Sequence, residues 1–133
     1  MEKENNEKFK NENLSTTNGE IILQKGEKFC LDDFDILKEL GNGAYAKVYL
    51  CLSKKDKKEY ALKSFGKNSM IKENKLYQVF VESELMINLR NDYITRAYSA
   101  FEENKRMILV LDYFKNGDLF DFISVNSKFF IML

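Results

Sequence analysis

The chain has no histidine, no proline and no tryptophan among its 133 residues. Without histidine it cannot itself supply an imidazole as general base, proton shuttle or metal ligand. Without proline its turns rest on Gly, Asn and Asp. Its only cysteines, Cys30 and Cys51, stand at no metal-ligand spacing, and so few thiols fit a reducing compartment better than a disulfide framework. No apolar run reaches the roughly 18–20 residues of a membrane span. The first twenty residues are charged and polar, with no apolar leader segment. Together these features lead us to expect a cytoplasmic protein without a membrane segment. Charge of one sign is also lacking in excess: Lys+Arg and Asp+Glu number 21 each, which argues against a general nucleic-acid or membrane binder. What is present is a hydrophobic fraction of 44%, enough for the core of one small domain.

Residues 1–19, rich in Glu, Lys and Asn, read as a disordered polar tail, with Leu14 an isolated apolar position. Residues 20–33 read as an N-terminal extension that Ile21, Ile22, Leu23 and Phe29 could anchor. From Phe34 the pattern becomes periodic. Phe34, Ile36 and Leu40 alternate with Asp35 and Glu39. Val48, Leu50 and Leu52 alternate with Lys47, Tyr49 and Cys51. In Glu59 to Phe65, Ala61, Lys63 and Phe65 share one face and Tyr60, Leu62 and Ser64 the other. These segments predict three strands in an antiparallel meander. Asn74 to Leu89 switches to helical spacing, with Val79, Leu85, Met86 and Leu89 in one stripe and Leu76, Phe80, Ser83 and Ile87 in the next, both expected to be buried. Tyr98 to Glu102 and Met107 to Asp112 predict a further strand pair. The unbroken apolar run Met107 to Leu111 suits a strand covered on both faces. Asp118 to Ser124, after the turn at Asn116-Gly117, reads as the start of another helix.

The candidate site begins at Leu40-Gly41-Asn42-Gly43-Ala44-Tyr45-Ala46-Lys47-Val48. Closely spaced glycines permit a turn at positive φ and let main-chain N–H groups approach an anion, usually phosphate. Such pairs are also ordinary hairpin turns. A dinucleotide-binding turn is excluded by context, because it requires a helix after the glycines and this sequence continues as a strand. A glycine hairpin over a nucleotide fits better. Val48 and the small Ala61 could enclose a flat base, and Lys63, on Ala61's face, could reach phosphate oxygens as a compact charge. The bland alternatives are a solvated lysine at 63 and plain core at 48 and 61. A buried lysine needs a counter-charge. Helical spacing offers Glu82 and Glu84 and only modestly prefers Glu82.

These residues together resemble the N-terminal lobe of protein kinases over residues 34–129. G-N-G-A-Y-A-K-V matches the glycine-rich loop, Y-A-L-K the strand-three lysine, and a helix C with its glutamate follows. Within kinases the chain is similar to the cyclic-nucleotide-dependent group. Inside that group it looks most like 3-phosphoinositide-dependent protein kinase, through Ile71 to Lys75, Val79 to Met86 and Tyr113 to Asp118. The resemblance implies an α+β fold: a five-stranded antiparallel sheet with helix C and the start of helix D. It implies ATP as ligand, with Gly41, Asn42, Gly43, Ala44 and Tyr45 over the phosphates and Lys63 on the α- and β-phosphates, paired with Glu82. Leu40, Val48 and Ala61 would line the adenine pocket, and Leu111 would be the gatekeeper. The backbones of Asp112 and Phe114 would form the hinge, and Asp118 would approach the ribose. Implied partners are protein substrates, namely other kinases. A hydrophobic-tail peptide is a further one, docking on Lys67, Met70, Ile71, Leu76, Val79 and Met107; core packing is the alternative for that stripe. Beside this groove Lys28 is kept from the family's phosphate pocket. Ser83 stands where arginine is expected, and Ala100 and Glu102 replace neutral hydrogen-bonding residues.

Phosphoryl transfer also needs an aspartate to orient the acceptor and ligands for magnesium, carried in kinases by H-R-D-x-x-x-x-N and D-F-G. With no histidine, H-R-D is missing from this sequence. Asp121-Phe122-Ile123 lacks the glycine of D-F-G and falls in the expected helix D. No magnesium ligands are therefore assigned. The expectation is a kinase lobe truncated after its hinge and inactive by itself, with residues 130–133 a departure from the family.

Overall fold

In the computed structural model of the chain, the described residues are 14–17, 20–119 and 122–124. The expected tail over 1–13, positions 120–121 and the divergent end 130–133 lie outside them.

The strands are β1 (Leu14–Thr17), β2 (Glu20–Gly26), β3 (Phe34–Asn42), β4 (Ala46–Ser53), β5 (Glu59–Gly66), β6 (Ala97–Glu103) and β7 (Arg106–Asp112). They form one sheet in the order β1-β2-β6-β7-β5-β4-β3, with every neighbouring pair antiparallel. Between β5 and β6 lie two helices, α1 (Lys67–Lys72) and α2 (Leu76–Asn88). The expected five strands are β3 to β7, and the fold is α+β as anticipated.

Two strands extend this sheet. Leu14–Thr17, within the expected disordered tail, pairs with β2, and β2 pairs with β6 through Gln24↔Phe101, Lys25↔Ala100 and Gly26↔Ser99. That part of the tail expectation is corrected. The dipeptide between the two strands, Asn18-Gly19, is favoured in two-residue hairpin loops, a signal that the segment's polar composition conceals. Strand formation also gives β6 a neighbour on its outer side, satisfying backbone groups that an edge would expose.

The two faces of the sheet bury different clusters. On one, Ala61, Phe65, Met107, Leu109 and Leu111 pack with Met70 of α1, Val79 of α2, Ala97 and Ala100. On the other, Leu62, Ile108, Val110 and Cys51 pack under Phe29 and Phe34 with Tyr60 and Phe101. The rings here meet at angles, Phe34–Tyr60 at 6.0 Å and 83°, Tyr60–Tyr98 at 5.2 Å and 80°. Edge-to-face contacts of this kind suit the ring quadrupoles. The N-terminal extension thus serves as the cover of the second face. A 3-10 turn over Leu31–Asp33 leads into β3, closed by the Cys30 N–H donating to Asp33 Oδ2 at 2.8 Å. Period-two alternation puts odd and even residues of β7 into the two clusters, as its unbroken apolar run predicts. Each buried Leu, Ile or Val there contributes about 1.5–3 kcal/mol.

Three expectations about burial and boundaries fail. In β3 only Phe34 is buried; Ile36, Leu37 and Leu40 are exposed. The strand is an edge, and its register against β4 slips at Leu37 and again at Leu40, so simple alternation does not hold along it. The helix expected over Asn74–Leu89 begins at Leu76, because Asn74 sits at φ 53 and the Lys75 N–H caps Met70's carbonyl at 2.8 Å. Asparagine tolerates this left-handed region, and α1 ends there. Along α2, Val79 and Ser83 are buried and Leu76, Phe80, Met86 and Ile87 pack half-buried, whereas Leu85 and Leu89 face outward, so the first stripe packs only through Val79 and Met86. After β7, residue 119 and residues 122–124 are helical, and the Phe122 N–H donates to the Asp118 carbonyl at 3.1 Å.

Candidate active site

The glycine stretch forms the β3–β4 hairpin. Gly41 pairs with Val48 and Asn42 with Lys47, and the Gly43 N–H donates to the Ala46 carbonyl at 2.9 Å, leaving Ala44 and Tyr45 at the tip. Neither Gly41 nor Gly43 has a positive φ, which corrects the reason first given for them. A Cβ at Gly43 would meet only Ala46's carbonyl oxygen at 3.5 Å, an ordinary contact, and a Cβ at Gly41 would meet nothing within 4 Å. Backbone conformation and internal packing therefore leave Gly41 unexplained.

Register carries the hairpin to the rest of the site. Val48 lies opposite Lys63, and Lys63 opposite Leu109; one step on, Ala61 lies opposite Leu111. Ala61 and Leu111 belong to the buried core, and Val48 packs half-buried against it. Lys63 Nζ lies 3.3 Å from Glu82 Oε1 on α2, with side-chain exposures of 31% and 46%. The same ammonium sits 5.1 Å from the centroid of Phe65, a cation–π distance. Both charges remain partly open to solvent, so the pair is not sealed in the core. The carboxylate reached is Glu82, not Glu84, because the α2 register turns residue 82 toward β5.

The expected hinge follows β7. Tyr113 packs half-buried on the core, and Phe114 and Asp118 are exposed. Asp112 is held to the start of β6: its N–H donates to the Arg96 carbonyl at 3.1 Å, and its carboxylate accepts from Tyr98 Oη at 2.8 Å and the Arg96 N–H at 3.0 Å. Sequence reasoning missed Arg96 and Tyr98, because the contact exists only through β6–β7 pairing and no spacing signals it.

The protein kinase domain family matches residues 34–131. The chain belongs to the protein kinase family. Aurora kinase B of Xenopus tropicalis is 36% identical over 115 residues, 86% of this chain and 32% of that protein. A probable serine/threonine protein kinase of Arabidopsis thaliana is 29% identical over 97 residues, 73% of this chain and 8% of that protein. The cAMP-dependent protein kinase type 3 of Saccharomyces cerevisiae is 28% identical over 102 residues, 77% of this chain and 26% of that protein. The kinase chain thus spans a third or less of the length of these relatives. Among its described residues no helix is long and apolar enough to cross a membrane.

In this kinase chain the expected docking positions divide. Met70, Val79 and Met107 are buried in the core between the helices and the sheet, Leu76 packs half-buried against it, and only Ile71 is exposed. At those three positions the stripe holds α1 and α2 to the sheet. Lys67 Nζ lies 2.7 Å from Glu102 Oε1, with side-chain exposures of only 17% and 14%. Glu102 thus engages internally the cation that a docked anion would need. Ser83 is buried and its hydroxyl donates to the Phe80 carbonyl at 2.7 Å. Ala100 is fully buried, and Lys28 is exposed.

Proposed function

We propose that this chain is the ATP-binding lobe of a serine/threonine protein kinase. The observation that carries the reading is the combination of a Lys63–Glu82 ion pair with a hairpin whose Gly41 has open space where a side chain would be. In this reading Gly41 to Tyr45 lie over the phosphates and Lys63 binds their α and β oxygens, oriented by Glu82. Leu40, Val48, Ala61 and Leu111 enclose adenine. Asp112 and Phe114 offer main-chain partners to its edge, and Asp118 approaches the ribose. Bound ATP supplies the transferable γ-phosphoryl group. The residues present fit the nucleotide but not its magnesium, whose asparagine and aspartate ligands belong to motifs that residues 1–133 do not contain. Residues 1–133 alone therefore bind nucleotide without transferring phosphate. A complete family member transfers it to serine or threonine of protein substrates. The resemblance of Ile71 to Lys75, Val79 to Met86 and Tyr113 to Asp118 to 3-phosphoinositide-dependent protein kinase points to other kinases as those substrates.

The test is titration of a fluorescent ATP analogue against the full chain. Lys63→Ala should weaken binding by about tenfold or more, the loss of one charge-assisted contact. Gly41→Val should abolish binding while leaving the thermal melt unchanged, since the position has room in the fold. Equal affinity in all variants would overturn the reading. Phosphate transfer by wild-type 1–133, lost in Lys63→Ala, would overturn the claim that the chain is inactive alone.

A further inference from the structure

Period two on β5 sets Ala61, Lys63 and Phe65 on one face of the sheet, the face that α1 and α2 cover. Lys63 and Phe65 are therefore neighbours along the strand, with Leu109 and Met107 opposite them on β7. Phe65 is 4% exposed and belongs to the same cluster as Met70 of α1 and Val79 of α2, so its ring has a fixed seat. The Lys63 ammonium stands over that ring, 5.1 Å from its centroid, where the negative π-face attracts a cation. The same ammonium lies 3.3 Å from Glu82 Oε1. The two holds differ in kind. The carboxylate is 46% exposed and comes from α2, so the ion pair is screened by solvent and exists only while α2 is docked. The ring is buried and comes from the strand that carries Lys63 itself, so its contact does not depend on the position of α2. A cation–π contact on a buried ring is at least comparable in strength to a half-exposed ion pair, so Glu82 does not outweigh Phe65 here.

We propose that Phe65 is a positioning residue for Lys63: its ring shares with Glu82 the task of holding the ammonium toward a nucleotide's phosphates, and performs it alone when Glu82 is drawn away. The inference rests on the nucleotide reading above and concerns how that site is regulated. A lysine tethered only by a helix carboxylate loses its aim when the helix shifts. Here a second tether, two residues along the same strand, limits the freedom of the flexible four-carbon stem. Nucleotide affinity is thereby made largely independent of where α2 sits. The ring does not compete for the ligand, because it carries neither charge nor hydrogen-bond donor. Lys63 keeps 31% of its side chain open to solvent, and phosphates can meet the ammonium from that side.

The experiment titrates a fluorescent ATP analogue into the full chain and its variants, and follows the Lys63 ε-methylene protons by NMR. Glu82→Gln and Phe65→Met should each weaken binding by no more than about twofold, because the other hold remains. The double variant should lose about tenfold, approaching Lys63→Ala, since only the two changes together free the lysine. A ring-fluorinated phenylalanine at position 65 keeps the shape of the side chain and removes its negative π-face. In the Glu82→Gln background it should reproduce the loss seen with Phe65→Met, which a packing role would not do, and it serves if Phe65→Met does not fold. The ε-methylene protons should lie upfield in wild type and in Glu82→Gln, and return to ordinary values in Phe65→Met. Losses that merely multiply, full affinity with the fluorinated ring, or ε-methylene protons without the upfield shift would overturn the role of Phe65 while leaving the nucleotide site standing. Wild type that binds no analogue would overturn both.

Discussion

Replacing Gly26 by alanine places a methyl group where β2 meets β6 with no room for one. Gly26 has φ +76, and a Cβ there would lie 2.2 Å from the Tyr98 carbonyl oxygen and 3.0 Å from its carbon. These are backbone atoms that cannot rotate away. Alanine in the left-handed region costs about 1–2 kcal/mol. Restoring an ordinary contact requires the strands to part by about 1 Å, which weakens the 2.8 Å bond from the Glu27 N–H to the same carbonyl and the adjoining Gly26–Ser99 pairing, about 1 kcal/mol for each bond lost. Alanine's narrower unfolded ensemble returns about 0.4–1 kcal/mol. The net expected loss is about 3 kcal/mol. Urea denaturation followed by circular dichroism measures it, and hydrogen exchange at the Glu27 amide should accelerate in the variant. Gly41→Ala is the control: with open space and no positive φ, it should cost no stability and add at most about 1 kcal/mol. A loss in Gly26→Ala no larger than in the control would refute the steric argument.

The Lys67–Glu102 pair is mostly buried, so Glu102→Ala should cost about 3 kcal/mol, whereas the double change Lys67→Met with Glu102→Leu should lie within about 1 kcal/mol of wild type. Denaturant titration decides, and equal losses would mean that packing of the stems, not charge, holds α1. Asp33 is held below its ordinary value of 3.8, first by Lys55 and then by the Cys30 amide. A lowered carboxylate stabilises fully above that ordinary value and ceases to do so as pH falls through the lowered one. Thermal melts across the acid range should therefore show a shallower decline in Asp33→Asn than in wild type; identical acid limbs would remove Asp33 from the explanation. Cys30 is exposed, whereas burial pushes the Cys51 thiol up to about 11. A thiol reagent at neutral pH should label Cys30 quickly and Cys51 only on unfolding, and two fast thiols would contradict the packing.

Alternation in sequence revealed β4 and β5, and an unbroken apolar run revealed β7, because each pattern records which faces of a strand are buried. β3 was misjudged on its faces because two register slips insert residues that the eye counts as alternating. The α1–α2 break was hidden because Asn74 is polar and helical spacing continues across it. Lys63 was legible as a candidate by its place beside Ala61, but its choice of Glu82 over Glu84 came from a family likeness, since both carboxylates suit a helix surface. The stripe Met70, Val79, Met107 reads the same whether it lines a groove or a core; only packing distinguishes them. The Arg96–Tyr98–Asp112 clamp was illegible, because backbone donors leave no trace in residue type.

β7 lies mid-sheet, yet its neighbours reach it by very different routes. β6 arrives through a tight hairpin with Asn104 and Lys105 at φ 51 and 58. β5 meets β7 only after α1, α2 and β6 have been traversed, pairing Gly66 with Arg106 and Ala61 with Leu111. During synthesis β3, β4 and β5 can pair early, but their inner edge waits for a strand made much later. Long-range closure of this kind is slow, because chain entropy is lost before contacts reward it. The seam that closes last is the one where Lys63 meets Leu109, so the row bearing the Lys63–Glu82 pair is assembled by the same event that completes the sheet.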